Sequence, residues 1–213
     1  MITSHGTRHC ARLVPVCYIT LGALGFVVAP LFEVFSLKGV GWLKHGVGAL
    51  ALGLVSYATV VVCLSAERLH LPGWVDPVGW VLLAVALLLL VYSLFIDIPA
   101  HESYVGVSTG RVPVKTGTYA LVRHPAVLWY GLLLVSLILV SKARLLLIAA
   151  PVWFLMDVLY VVVQDRFLFA KMFVGYDAYR RETPMLIPTK RSVSACLRSI
   201  STGGVVPRSE KGR

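Results

Sequence analysis

The stretch RHPAVLWYGLLLVSLILVSKARLLLIAAPVWFLMDVLYVVVQD, Arg123 to Asp165, consists of two apolar runs joined by a short polar turn. A helix needs roughly 20 mainly apolar residues to cross about 30 Å of hydrocarbon. The first run is somewhat short, but Lys142 and Arg144 in the turn can extend their side chains to the headgroups and let it span. The pattern predicts an antiparallel transmembrane hairpin whose two open ends return to one membrane face.

The composition of the whole chain indicates the same class of protein. Hydrophobic residues make up 58% of the 213 residues and charged residues only 14%, a balance typical of an integral membrane protein. We predict an all-α, polytopic membrane helix bundle of about five spans that ends in the helical hairpin. The first apolar segment is as long as a span and no cleavage pattern follows it, so we interpret it as a span. The predicted spans lie near Leu13–Phe32, Gly46–Leu64, Val78–Ile96, Ala126–Val140 and Leu145–Val163.

Lysine and arginine near the span ends indicate the orientation, because cytoplasmic loops carry an excess of these residues. With five spans and a cytoplasmic carboxyl terminus, 15 of the 20 basic residues share the cytoplasmic face. The five on the outer face are then Arg8, Arg12, Arg68, Lys142 and Arg144. We therefore predict a multi-pass protein with a cytoplasmic carboxyl terminus, in a prokaryotic plasma membrane rather than the endoplasmic reticulum.

We predict one membrane-embedded domain over residues 1–189, followed by a basic tail over residues 190–213. Within the tail, Val193, Cys196, Leu197 and Ile200 recur at helical spacing opposite basic residues, which predicts a helix lying in the membrane interface. A disordered basic tail is the alternative, and the last residues, STGGVVPRSEKGR, are predicted to be disordered.

Charge and cysteine usage narrow the possible partners. The formal net charge of +10 indicates anionic membrane lipids rather than nucleic acid, because the basic tail has no interleaved aromatic residues to stack on bases. The four cysteines are scattered without metal-ligand spacing, so the sequence predicts neither a metal site nor a disulfide framework. The oligomeric state is left open.

A candidate site lies at the open ends of the hairpin. Pro125 suits the first turn of a helix, so the fourth span is expected to begin at the triplet Arg123-His124-Pro125. A helix amino terminus beside an arginine favours an anion such as a carboxylate or phosphate. Gln164 and Asp165 leave the fifth span at the same depth, so residues about forty positions apart are expected to line one site.

The segment MFVGYDAYRRETPMLIP, Met172 to Pro188, mixes aromatic and basic residues and contains two prolines. Two interpretations are open for it. It folds back over the opening of the hairpin as a lid, or it is a solvated connector whose Tyr176 and Tyr179 rest among the headgroups.

The segment VKTGTYALVRHP, Val114 to Pro125, resembles the signature of integral membrane methyltransferases, a family that includes isoprenylcysteine carboxyl methyltransferase and the phospholipid amine methyltransferases. The resemblance covers roughly Val112 to Pro188. The chain departs from the family in having Val127 and Trp129 where tyrosine and glycine are usual, and Gln164 and Asp165 where two glutamates are usual. The matching positions are Gly117, Tyr119, Arg123, His124 and Pro125, then Tyr176, Tyr179, Pro184 and Pro188.

The resemblance implies transfer of a methyl group from S-adenosyl-L-methionine to a lipophilic acceptor, such as a prenylcysteine-like carboxylate or a phospholipid amine, that enters from the bilayer. Arg123 and His124 would then receive the carboxylate of the donor, while Gln164 and Asp165 accept its ammonium group. Tyr119 and Tyr176 would face its sulfonium. Catalytic roles are thereby implied for Arg123, His124 and Asp165. The implied cofactor-binding residues are Gly117, Tyr119, Arg123, His124, Pro125, Gln164, Asp165, Tyr176 and Tyr179.

Other interpretations of the same residues are open. Asp165 is in one of them a surface carboxylate paired with Arg166 or Lys171. Asp157, inside the fifth span, is either a group that faces the substrate or a carboxylate buried against another helix. At the level of function, the alternatives are an NADPH-dependent membrane reductase related to sterol reductases and a catalytically silent membrane scaffold.

Overall fold

The computed structural model describes residues 4–97 and 112–201, with side chains from Val16 onward. The regular structure of these residues is helical throughout. The end of the tail, residues 202–213, which the sequence predicts to be disordered, lies outside the described residues. The helices are α1 (Ser4–Val28), α2 (Pro30–Leu37), α3 (Gly41–Cys63), α4 (Val75–Val91), α5 (Thr118–Leu121), α6 (Pro125–Ser141), α7 (Leu146–Val163), α8 (Phe169–Met172), α9 (Tyr176–Glu182) and α10 (Lys190–Ser201).

Four helical segments of the described chain are long and apolar enough to cross a membrane, and α6, with 17 residues, is a shorter fifth. The predicted multi-pass helix bundle is therefore confirmed. Two of the segments contain a π-helical turn, Tyr92–Ile96 after α4 and Gln164–Leu168 between α7 and α8. The four long segments are Val16–Leu37, Gly41–Cys63, Val75–Ile96 and Leu146–Met172.

The first span is longer than the predicted one, which ended at Phe32. Pro30 fixes its own φ angle and has no N–H to donate, so it divides α1 from α2 at the first position of the new helix. The amide of Ala29 still donates to the carbonyl of Gly25 (3.0 Å), and the helical path continues to Leu37. This continuation carries Glu33 inside the bundle.

The last two spans form the predicted hairpin. His124 precedes Pro125 at the start of α6, and Lys142 ends that helix with a φ of 55° in the left-handed region. The guanidinium of Arg68 donates to the carbonyl of Ser141 (2.6 Å), and the ammonium of Lys142 pairs with Asp76 (2.6 Å). The α3–α4 loop and the turn of the hairpin thus lie at the same end of the bundle. The cytoplasmic assignment of the other end stays a prediction.

Close packing of α1 against α7 fixes the hairpin within the bundle. Trp153 is fully buried, and its indole N–H donates to the carbonyl of Ile19 (3.0 Å). A methyl group on Gly22 would overlap the Trp153 ring, so the small residue permits this approach. The surrounding core consists of Ala58, Val62, Leu134, Ala143, Leu146, Ala149, Ala150 and Trp153.

The predicted amphipathic helix of the tail is present as α10. Its side chains Leu197 and Ile200 are exposed, as an interfacial helix requires, whereas Cys196 is buried. The hydroxyl of Ser199 accepts a hydrogen bond from the amide of Gly117 (2.8 Å), so α10 packs against the signature segment. The boundary of the domain at residue 189 stays a prediction.

Candidate functional site

The two ends of the hairpin meet, as the sequence predicts. Nη2 of Arg123 donates to Oδ2 of Asp165 (3.2 Å), and Nε of Arg123 lies 3.1 Å from Oδ1. Both side chains are nearly inaccessible to solvent. This charge pair joins the start of α6 to the π-helical turn after α7 and fixes the geometry of the site.

Asp165 is the centre of a buried polar cluster. The hydroxyl of Tyr176 donates to its Oδ1 (2.6 Å), Nε of Arg180 lies 3.5 Å from its Oδ2, and Nε2 of His124 lies 3.5 Å from its Oδ1. The carboxylate is 2% exposed. The interpretation of Asp165 as a surface carboxylate paired with Arg166 or Lys171 is therefore wrong.

The segment after α8 folds back over the open end of the hairpin. The hydroxyl of Tyr179 donates to the carbonyl of Tyr119 (2.7 Å), and the backbone amide of Arg123 donates to the carbonyl of Pro184 (2.9 Å). Nη1 of Arg123 donates to the carbonyl of Arg180 (3.1 Å). These bonds make the segment a lid held on the signature and not a solvated connector.

A cavity of about 800 Å³ extends from the lid into the bundle. This volume is within the usual range for small-molecule sites, about 300 to 1,000 Å³. Leu52, on α3, lines the cavity and is 69% exposed, so the cavity reaches the outer surface of the bundle within a membrane span. Its polar lining residues are Glu33, Tyr119, Arg123, His124, Tyr130, Asp157, Tyr160, Gln164, Tyr176 and Tyr179.

Aromatic rings form the outer end of the cavity. The ring of His124 stacks on Phe169 with centroids 5.6 Å apart, and Phe169 meets Tyr176 edge to face at 5.7 Å. Burial raises the pKa of Tyr176 and of Tyr179, so both hydroxyls stay protonated and act as donors. Such a wall is suited to a flat ring or to a cationic group held over a ring.

His124 is held in its neutral form. Burial lowers its pKa from the ordinary 6.5, and the charge of Arg123 acts in the same direction, although the hydrogen-bonding and charge effects of Asp165 partly oppose both. Its Nε2 is buried and has no well-formed hydrogen bond within the described part of the chain. The imidazole therefore offers a polar atom to a ligand in the cavity.

A second polar group lies deeper, where α2 meets α7. Oε1 of Glu33 accepts hydrogen bonds from the hydroxyl of Tyr160 (2.7 Å) and from Nε2 of Gln164 (2.5 Å). Glu33 is 5% exposed, and its other oxygen, Oε2, has no hydrogen-bond partner among the described residues. Lys44 is close enough to interact with Glu33 electrostatically. Gln164 is thus engaged by a carboxylate from another helix.

Gly117 has a structural reason to be glycine. Its φ of 58° with ψ of −134° is a conformation that side chains avoid, and an added Cβ would overlap the carboxylate of Asp97. That carboxylate accepts hydrogen bonds from the amide of Thr118 (2.7 Å) and from the Thr118 hydroxyl. Gly117 and Asp97 together join the end of α4 to the start of α5.

The structure brings most of the predicted site residues onto one wall, but two of them lie behind it. Gly117 packs on Asp97, and Asp165 is enclosed by Arg123, Tyr176 and Arg180 instead of lining the cavity. The predicted residues on the wall are Tyr119, Arg123, His124, Pro125, Gln164, Tyr176 and Tyr179. Their roles in binding stay predictions.

Sequence reasoning missed several lining residues for which signals existed. Tyr160 lies at helical spacing between Asp157 and Gln164 (i, i+3 and i+7), which places all three residues on one helical face. Glu33 is the only acidic residue in the apolar segment from Leu13 to Leu37. A carboxylate in such a place usually faces a partner or a cavity. The missed residues are Glu33, Tyr130, Tyr160, Phe169 and Phe173.

These features define a polytopic α-helical membrane protein with a cavity at one end of its terminal hairpin. Residues 42–183, two thirds of the chain, match a family described as a protein of unknown function, DUF1295, and the chain belongs to that family. The match includes α3 and α4, which lie outside the region of the predicted resemblance. No curated protein and no solved structure matches the chain.

Proposed function

We propose that the protein transfers a methyl group from S-adenosyl-L-methionine to a lipophilic acceptor. The observation that carries the proposal is the convergence of the Arg123-His124 corner, the aromatic lid and the carboxylate of Glu33 on one cavity of about 800 Å³. Two buried atoms on that wall, His124 Nε2 and Glu33 Oε2, have no well-formed hydrogen bond with the described residues. Buried polar atoms of this kind are rare unless a ligand or water satisfies them.

The lining residues suit the charged groups of the donor. Its carboxylate is assigned to the positive, amino-terminal end of the α6 helix, beside the buried Nε2 of His124. The aromatic wall of Tyr176 and Phe169 is assigned to its flat ring or its sulfonium. The donor supplies an activated methyl group, and the protein contributes orientation and exclusion of water.

Glu33 replaces Asp165 as the proposed partner of the ammonium group of the donor. Asp165 already pairs with Arg123 and Arg180 and accepts from Tyr176, so little of its charge is available. Glu33 lines the cavity, and Gln164 and Tyr160 hold one oxygen so that the other is presented to a ligand. The departure from a pair of glutamates at 164 and 165 is thus offset by a carboxylate from α2.

The acceptor is proposed to enter sideways from the bilayer. Leu52 is exposed on the membrane surface of α3 and also lines the cavity, and most of the remaining lining is apolar. A long hydrocarbon chain can pass there without leaving the hydrophobic phase. The lid of α9 covers the polar end, which is where the two reactants would meet.

The test is calorimetric titration of the purified protein in detergent with S-adenosylhomocysteine, the product of the donor. We expect a dissociation constant on the order of micromolar, typical of substrate-level affinity. Glu33→Gln keeps the shape and the hydrogen bonds of the side chain but removes its charge, so binding should weaken about tenfold. His124→Ala should weaken it to a similar degree.

Matched controls are available on the exposed surface. Glu67→Gln and His70→Ala make the same chemical changes at exposed positions outside the cavity and should bind like the unsubstituted protein. If the unsubstituted protein unfolds cooperatively on heating but does not bind S-adenosylhomocysteine, the proposed function is refuted. Equal binding by Glu33→Gln and the unsubstituted protein would remove Glu33 from the donor site.

A membrane reductase is the second candidate, because members of the DUF1295 family are related to steroid 5α-reductase-like membrane proteins. A nicotinamide dinucleotide phosphate carries several phosphate charges, which need free cations. Arg123 is already paired with Asp165, and Glu33 and Asp157 add negative charge to the wall. Titration with NADPH in the same calorimeter separates the candidates, since the methyl-transfer proposal expects no binding.

A further inference from the structure

The inner end of the cavity carries a carboxylate in an unusual position. Asp157 lies within α7, two helical turns or about 10 Å before Gln164, and lines the cavity. It forms no ion pair or hydrogen bond with the residues that the structure describes. A carboxylate at this depth in a membrane span is costly unless it faces a partner.

A phenol shares this end of the cavity. Tyr130 is five residues into α6 and also lines the cavity, where it packs on Phe26 with ring centroids 5.8 Å apart. Its hydroxyl is buried and has no hydrogen-bond partner within the described ranges. Asp157 is near enough to act on Tyr130 electrostatically. One carboxyl group and one phenol therefore face the same apolar space.

The charge balance of the lining favours a cation there. The charge of Arg123 is paired with Asp165, and Lys44 acts on Glu33 from α3, but no described cation pairs with Asp157. Glu33 lies between the two ends, since it contacts Tyr160 and Gln164, and its buried Oε2 has no hydrogen-bond partner among the described residues. The space beyond it therefore carries an acidic side chain that no described cation pairs with.

We propose that this inner end, formed by Asp157 and Tyr130, is the acceptor site and that the acceptor is a lipophilic primary or secondary amine. The identification of the bound amine as a methyl acceptor rests on the proposed function. The amine enters as an ammonium ion, which pairs with Asp157, while its hydrocarbon chain lies along the apolar lining toward Leu52. A carboxylate or phosphate acceptor would lie beside the two acidic residues Asp157 and Glu33, which disfavour an anion.

The proposal also accounts for the proton that amine methylation must release. The ammonium passes one proton to the carboxylate of Asp157 and becomes a neutral amine. Its lone pair then forms the new bond to the methyl carbon, and the carbon–sulfur bond of the donor breaks with its electron pair left on sulfur. The products are a methylated ammonium and a neutral thioether, with the proton on Asp157 and later in solvent.

The experiment measures binding of tritiated dodecylamine to the full chain in detergent by scintillation proximity, without any methyl donor. We expect saturable binding that an equal concentration of dodecanol does not displace. Asp157→Asn should weaken it about tenfold or more, since it removes a charge-assisted pair. Asp76→Asn, the same change at a residue outside the cavity, should leave it within about twofold.

A second readout separates the two sites. Asp157→Asn should bind S-adenosylhomocysteine like the unsubstituted protein, whereas Glu33→Gln should bind it about tenfold more weakly and retain dodecylamine. Tyr130→Phe, which keeps the ring, should weaken the amine several-fold and serves if Asp157→Asn does not fold. Displacement of the amine by dodecanol would overturn the proposal. So would amine binding by Asp157→Asn and Tyr130→Phe that equals binding by the unsubstituted protein. If the unsubstituted protein binds dodecylamine but not S-adenosylhomocysteine, that result counts against the proposed function only.

Discussion

His124 joins the entrance of α6 to the wall of the cavity, and its protonation state decides what it can do there. The ring lies between the Asp165 cluster and Phe169, so a proton on both nitrogens would place a second positive charge beside Arg123 in a buried position. Burial therefore keeps the ring neutral, and one nitrogen remains able to accept or donate to a ligand. On the proposed function, the neutral imidazole of His124 binds the donor.

The depressed pKa of His124 predicts a pH dependence of stability. The unfolded chain binds a proton at this residue near pH 6.5, while the folded protein binds it only at lower pH. The free energy of unfolding should therefore fall as the pH decreases below 6.5, and this loss should end once the folded-state pKa is passed. Thermal unfolding in detergent between pH 7.5 and 5.5 measures it.

His124→Gln lacks the titrating group, so its melting temperature should depend less on pH over this range. His70→Gln changes an exposed histidine and should follow the unsubstituted protein. Parallel curves for the unsubstituted protein and His124→Gln would show that this residue does not titrate differently in the two states.

Among individual residues, the sequence predicted those contacts that the geometry of a single helical hairpin determines. Arg123 and Asp165 are 42 positions apart, and the out-and-back geometry of two spans places them together without knowledge of any other helix. The pairing of Glu33 with Gln164 joins positions 131 apart. It depends on which spans are neighbours, and the uniformly apolar faces of membrane helices carry little signal for that.

The elements of the fold follow from apolar length and from the residues at their ends. Pro125 starts α6 as predicted, whereas Pro30 divides the first span, which the hydrophobic pattern alone does not reveal. The π-helical turn at Gln164–Leu168 also has no sequence signal of its own, yet it places Gln164 and Asp165 in different surroundings. One faces the cavity and Glu33, and the other faces the arginines.

A substitution at the junction of α4 and α5 tests why the segment Val114 to Pro125 contains a glycine at position 117. Gly117→Ala forces a side chain into a conformation reserved for glycine and against the Asp97 carboxylate. The two effects together should destabilise the protein by about 2 to 4 kcal/mol. Thermal unfolding followed by tryptophan fluorescence measures the loss.

Gly46→Ala is the matched control, because that glycine is in the interior of α3 with open space around its Cβ position. It should be neutral or slightly stabilising, by about 0.5 to 1 kcal/mol. Equal melting temperatures for Gly117→Ala and Gly46→Ala would contradict the structural role of Gly117. If Gly117→Ala loses ligand binding without losing stability, Gly117 is a binding residue and not a structural one.

At the scale of the whole molecule, the bundle places a polar site at one end of its spans and gives it a side entrance. The lid of α9 and the helix α10 both rest on the signature segment, through Tyr179 and Ser199. The exposed apolar residues of α10 suit contact with the membrane beside that end. On the proposed function, the charged donor comes from water and the acceptor comes from the bilayer through the side entrance.

On the proposed function, this cavity supports methyl transfer to a lipophilic molecule. Its most direct test is to incubate membranes from cells that produce the protein with S-adenosyl-L-methionine labelled in the methyl group, and to count the label in the extracted lipid. We expect incorporation above that of membranes without the protein, reduced about tenfold by Glu33→Gln and unchanged by Glu67→Gln. Equal label in lipid from membranes with and without the folded protein would contradict it.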